Sequence, residues 1–196
     1  MRKSTSDNLP QPPPPPPTTS PPSSAPKINR KTMIALGIIV IIVVAIIVGV
    51  ILATRGGGGG GSKSGDVATA SSLQFNADIT ASGTTTTYTW SAKNIGTSNA
   101  MLRIEWTSSA GDYVYIINGA QKQAWVDENG TWTDLSTEYT DFWATWNATF
   151  AGFTSSLSHW SGSGDYTYTD PSTGNSIRIY NISVNPSLAD SLFEHS

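Results

Sequence analysis

Three hydrophobic rhythms follow one another along this chain. From Met33 to Ala53, twenty-one residues pass without a charge, bounded by Arg30 and Lys31 before and Arg55 after. At about 1.5 Å of rise per residue, a helix over residues 33–53 is about 31 Å long, enough for a hydrocarbon core of about 30 Å. Beyond residue 72 the period drops to two. Leu73, Phe75, Ala77 and Ile79 alternate with polar residues, as do Tyr88, Trp90 and Ala92, then Leu102, Ile104 and Trp106. A run over 113–117, the alternation 121–126 and the segment 131–135 follow, separated by Asn94-Ile95-Gly96, Ala110-Gly111-Asp112, Asn118-Gly119 and Asn129-Gly130. These are six half-buried strands of an antiparallel meander, with Asn118-Gly119 as the clearest two-residue type I′ turn.

After Ser136, which can cap a helix, Tyr139, Phe142, Trp143, Trp146 and Phe150 recur at spacings of three and four, the mark of one aromatic helical stripe. Gly152 is read as a break, with Phe153, Leu157 and Trp160 extending a poorer turn. Alternation returns at Tyr166 and Tyr168 and again over 177–184, before Asn185-Pro186 turns the chain toward Leu188, Leu192 and Phe193. The expected fold is therefore α+β, mainly β: a transmembrane helix, then a curved antiparallel sheet forming an unclosed barrel around a short aromatic helix.

The flanks of the apolar run set the domain order. Residues 1–32 hold Pro10, Pro12 to Pro17, Pro21, Pro22 and Pro26. Such a stretch builds no core and reads as a disordered polyproline II tail, either a spacer or a ligand for a proline-binding cytoplasmic protein. Residues 54–72 begin with Gly56 to Gly61 and read as a flexible tether; residues 73–194 form the β domain. Five basic residues precede the span and two follow it closely, which keeps the N-terminus cytoplasmic and puts the C-terminal domain outside. A cleaved signal peptide expects a shorter apolar stretch nearer the start, and a pilin-like helix a shorter leader.

Composition narrows the function. From Asp66 onward thirteen acidic residues face four basic ones, a net charge of about minus nine that disfavours nucleic acid and anionic lipid heads. There is no cysteine, so no disulfide or thiolate metal site. Sequons at Asn129, Asn147 and Asn181 all fall on the outer side and are candidate glycosylation sites.

The strand order, together with Arg103-Ile104-Glu105-Trp106, Tyr115-Ile116-Ile117-Asn118-Gly119, Ala124-Trp125-Val126, Val184-Asn185-Pro186 and Ser191-Leu192-Phe193, resembles the outer-membrane lipoprotein carrier family and its archaeal relatives across residues 70–194. That resemblance implies an unclosed barrel whose mouth is plugged by helices and whose interior holds acyl chains. It also implies that Arg103 corresponds to an arginine holding the lid by hydrogen bonds to helix carbonyls. The chain departs from the family in its N-terminal anchor and in a first helix that is shortened or missing, which suits holding or sensing a ligand near one membrane better than shuttling it.

Candidate chemistry follows from the rings. A concave sheet lined by Trp90, Trp106, Trp125, Trp143 and Trp146 gives either an apolar binding cavity or a filled core. Ser158, His159 and Asp165 are too close in sequence for a triad, and no G-x-S-x-G elbow occurs. The Asp165 and Asp170 loops have the composition of plain turns rather than of a Ca²⁺ loop, and Asp127 with Glu128 reads as a solvated turn. The expectation is a non-catalytic, membrane-anchored binding domain for an apolar or lipidated ligand, with no cofactor or metal. The alternatives are a structural or adhesive envelope protein with a filled core, and a recruiter acting through the proline-rich tail.

Overall fold

The computed structural model describes residues 67–108 and 111–195. The proline-rich tail, the apolar span 33–53 and most of the tether lie outside the described residues; among the described residues no helix is long and apolar enough to cross a membrane. The described chain is mainly β, an unclosed antiparallel sheet of eight strands plus one helix.

The strands are β1 (Ser72–Ala81), β2 (Thr84–Lys93), β3 (Met101–Ser108), β4 (Gly111–Asn118), β5 (Gln123–Glu128), β6 (Thr131–Asp134), β7 (Tyr166–Thr169) and β8 (Ser176–Val184). Their order in the sheet is β6-β5-β4-β3-β2-β1-β8-β7, with β6 and β7 as the two short edges. The first six form the expected meander. Chain reversal at Ser82-Gly83 and at Asn129-Gly130 puts positive φ at both central positions, the demand of a type I′ turn.

Asn118-Gly119 differs from its expected role. Neither residue has positive φ, and the connection to β5 takes four residues, with Lys122 at φ 54°. The glycine serves close approach instead: its N–H donates to the Ala100 carbonyl at 2.8 Å, and a Cβ there would stand 2.7 Å from that oxygen.

The helix α1 (Tyr139–Leu157) also departs from the expected pattern. Gly152 does not break it, because Phe153, Ser156 and Leu157 continue the buried stripe of Phe142, Trp146, Thr149 and Phe150. Tertiary burial outweighs the glycine cost of about 1 kcal/mol. Ser136 does not cap α1; it opens a 3-10 turn (Ser136–Glu138), and its hydroxyl accepts the Ala124 N–H at 3.3 Å.

Topology explains where α1 lies. The chain leaves the sheet at edge β6 and re-enters at the opposite edge, β7, so the connection crosses one face. The N-terminal half of α1 meets β4, with Phe142 and Trp146 against Tyr115; the C-terminal half meets β1 and β2, with Phe150 and Phe153 against Phe75 and Trp90. A bulge in β8 between its pairings with Gln74 and Asn76, with Asn181 at φ 53°, shifts the phase of the strand. Ile177 and Ile179 before it, and Ile182 and Val184 after it, therefore reach the same core.

After β8 the chain crosses the other face as a strap over residues 185–195. The Ser72 hydroxyl donates to the Pro186 carbonyl at 2.8 Å, Lys93 Nζ donates to the Leu188 carbonyl at 3.0 Å and pairs with Asp190, and Phe193 packs on Ile116 and Trp125. One face of the sheet thus carries the helix and the opposite face carries the strap.

Candidate functional site

The period of two decides which predicted residues meet. On the helix face, β1 presents Phe75, β2 Tyr88 and Trp90, β3 Trp106, and β4 Tyr113 and Tyr115; α1 brings Trp146 among them. Trp146 lies 5.8 Å from Trp90, 5.9 Å from Trp106 and 5.2 Å from Tyr115, centroid to centroid. Trp106 stacks on Tyr113 at 4.9 Å and on Tyr115 at 5.4 Å. Such offset and edge-on contacts each add about 0.5–1.5 kcal/mol to area burial. Burial raises the phenol pKa of Tyr88 and of Tyr115, so both phenols are held neutral.

Trp90, Trp106 and Trp146 are therefore brought together, while Trp143 is half-buried at the margin of the core and stacked on Tyr139 at 6.0 Å. Among these rings the indole N–H of Trp90 is buried without a hydrogen-bond partner among the described residues.

Trp125 is on the other face. Ala124 and Val126 take the helix-facing positions of β5, so the indole between them turns outward, packs with Ile116 and Phe193, and stacks on His195 at 4.5 Å. Arg103 is likewise outside, because its neighbours Leu102 and Ile104 point to the core. Its Nε donates to Glu105 Oε1 at 2.5 Å and its Nη1 to the Leu192 carbonyl at 3.2 Å. The carbonyl it holds thus belongs to the 3-10 turn Asp190–Phe193 of the strap, on the face opposite α1.

Asp127 and Glu128 are not in a turn. They end β5, and Asp127 Oδ1 is buried without a hydrogen-bond partner among the described residues. Sequence reasoning missed this carboxylate although its alternation with Trp125 carried the signal: both side chains share one face. Beside it, an open groove of about 660 Å³ runs between the strap and the sheet, lined by Arg103, Asp127, Trp132, Leu188, Ser191 and Glu194 among others. A second open groove of about 550 Å³ lies over β2–β4, where Thr85, Thr87 and Thr89 face Glu105, Thr107 and Asp112.

The remaining candidates are tied locally. His159 Nδ1 is 3.1 Å from the Ser158 hydroxyl, whereas the Asp165 carboxylate accepts from Arg178 at 2.8 and 2.9 Å. Asp170 Oδ1 accepts from the Ser172 hydroxyl at 2.7 Å and amide at 2.8 Å, which hold its carboxyl below the usual range. Among the described residues no three His, Asp or Glu side chains are grouped to hold a cation. Of the sequons, Asn181 and Asn147 are exposed, although Thr149 of the latter is buried and bonded to the Thr145 carbonyl. Asn129, also exposed, uses its Oδ1 to accept the Asp112 N–H at 3.0 Å.

No protein-family model, curated protein or solved structure matches this chain.

Proposed function

We propose that this chain is a single-pass cell-envelope protein, N-terminus cytoplasmic, whose external β domain bends around its own helix and works without catalysis as a structural or adhesive recognition module. The observation that carries this reading is the meeting of rings between α1 and the sheet, where Trp146 is 1 % exposed and Trp90 and Phe153 are fully buried. The close meeting of these rings supports an interior filled by side chains of the domain itself, and on that reading recognition falls to the outer surface. The acidic balance of the domain suits an exposed working surface, and without cysteine its stability rests on packing.

The unpartnered Trp90 indole favours a second reading, a domain that holds an apolar or lipidated ligand between sheet and helix, as the resemblance to lipoprotein carriers implies. A ligand with an apolar body and one acceptor oxygen would satisfy that donor once α1 moved aside. The two readings separate in native mass spectrometry of the chain extracted from its source membrane. Bare protein mass supports the filled module, and a stoichiometric lipid adduct refutes it in favour of the holder.

A further inference from the structure

The open sheet edge at β7 is complementary to itself, and we infer that the domain associates with a second copy of this chain, β7 against β7, across a two-fold axis at Tyr168. This deepens the reading of the domain as a recognition module, rests on it, and names the partner. Hydrogen-bonded and non-hydrogen-bonded pairs alternate along an antiparallel ladder, so one bond fixes the phase of the rest. β7 pairs with β8 in the register Tyr166↔Ile179, Thr167↔Arg178, Tyr168↔Ile177 and Thr169↔Ser176. The next pair in that register is hydrogen-bonded, the Asp170 N–H donating to the Asn175 carbonyl at 2.8 Å. Tyr166 and Tyr168 therefore bond to β8, whereas Thr167 and Thr169 direct their backbone N–H and C=O groups away from it. Among the described residues no strand lies on that side, and both threonines are exposed.

Symmetry and charge together select the second copy. A two-fold axis at Tyr168 sets Thr167 opposite Thr169 of the second copy, and Thr169 opposite its Thr167. Every outward N–H and C=O then finds a complement, four hydrogen bonds in all, with Tyr168 beside its symmetry mate; threonine and aromatic pairs are favourable cross-strand neighbours. Two domains with about nine excess negative charges repel over most of their surface. β7 is Tyr-Thr-Tyr-Thr, without the charge, proline or bulge that ordinarily keeps an edge from pairing. The carboxylates flanking it are engaged, Asp165 with Arg178 and Asp170 with Ser172. The opposite edge is guarded. There the Leu135 N–H donates to the Ala124 carbonyl, so by the same alternation the open positions of β6 are Trp132 and Asp134, and a strand added there meets a carboxylate. Self-pairing at β7 closes at two copies. So short a contact is of the weak, transient class, and confinement to one membrane raises its effective concentration.

The chain has no cysteine, so a single introduced one reports the contact. Full-length Tyr168→Cys is reconstituted in phosphatidylcholine vesicles and mildly oxidised; Cα atoms of a non-hydrogen-bonded antiparallel pair stand about 4.5 Å apart, within disulfide reach. A reducible dimer is expected, with at least fivefold less from Thr133→Cys on the other edge. Thr167→Pro, combined with Tyr168→Cys, deletes an outward N–H and should cut the dimer at least fivefold with the far-UV circular dichroism unchanged. Thr169→Lys, a charge at an exposed position, is the second breaker should proline disturb the strand. Sedimentation equilibrium in density-matched micelles follows the same association without cysteine, the wild-type chain dimerising and Thr169→Lys shifted toward monomer. Equal cross-linking through Thr133→Cys, a dimer undiminished in folded breaker variants, as association through residues 33–53 would give, or a wild-type chain and Tyr168→Cys that both stay monomeric each overturns the inference. A lipid adduct in the mass spectrum would refute the filled module by a separate readout, leaving cross-linking to decide the pairing.

Discussion

Replacing Trp146 with alanine tests the idea that the helix face of the sheet is filled. The ring is 1 % exposed and stands 5.2–5.9 Å from three others, Tyr115, Trp90 and Trp106. Burying such a side chain contributes about 1.5–3 kcal/mol. Ring contacts contribute a further about 0.5–1.5 kcal/mol each, and core truncations of Trp or Phe cost about 3–5 kcal/mol in all. A domain of this size has about 6–20 kcal/mol of total stability at about 0.05–0.15 kcal/mol per residue, so the variant should fold and yet be clearly weakened. With about 3–5 °C lost per kcal/mol, the melting temperature should fall by about 10–20 °C. Equilibrium urea unfolding of the lipid-free external domain, followed by far-UV circular dichroism, measures the difference at constant slope. A loss below about 1 kcal/mol would mean that the ring borders empty space rather than neighbours, and the filled-core argument would fail.

Other expectations follow from particular contacts. Gly119→Ala should destabilise the domain by about 1–3 kcal/mol through overpacking against the Ala100 and Ser98 carbonyls, read as a drop in urea midpoint. Gly174→Ala, with open space around it, should cost only the strain of its positive φ, about 1–2 kcal/mol. At alkaline pH the sign is set by Tyr88 and Tyr115. Their folded pKa values are raised, so the unfolded phenols, near about 10, lose protons first, and stability falls as pH rises past that point. Tyr88→Phe should flatten part of that fall in a pH series of urea midpoints, and an unchanged slope would count against the burial assignment. Protease added to intact cells should digest the domain and spare the proline-rich tail, and the reverse pattern would invert the proposed topology.

Much of the architecture was legible because strand alternation is a local property. Eight strands and one aromatic helix can be read along the chain from Leu73 to Val184, since each side chain's face follows from its neighbour's, whereas the pairing of β8 with β1 cannot. That same parity also contained the placement of Trp125 and Arg103, which the expectation of a tryptophan-lined concavity overrode. Where a turn's chemistry depended on distant chain, local reading failed. Gly119 is glycine because Ala100 passes beside it, and Gly152 stays helical because Phe153 and Leu157 reach the core beyond it.

By itself, then, the sequence determined periodicity, the acidic balance, the absence of thiols and the apolar run 33–53, all of which depend on residue type and spacing. Only the tertiary structure decided that residues 185–195 strap the face opposite α1, bringing Leu188, Ser191 and Glu194 to Arg103, Asp127 and Trp132. Those partners lie more than fifty residues apart in sequence. No local pattern encodes which face a trailing segment covers; the helix had already occupied one side, and the exposed apolar surface of Ile116 and Trp125 left Phe193 the other to bury.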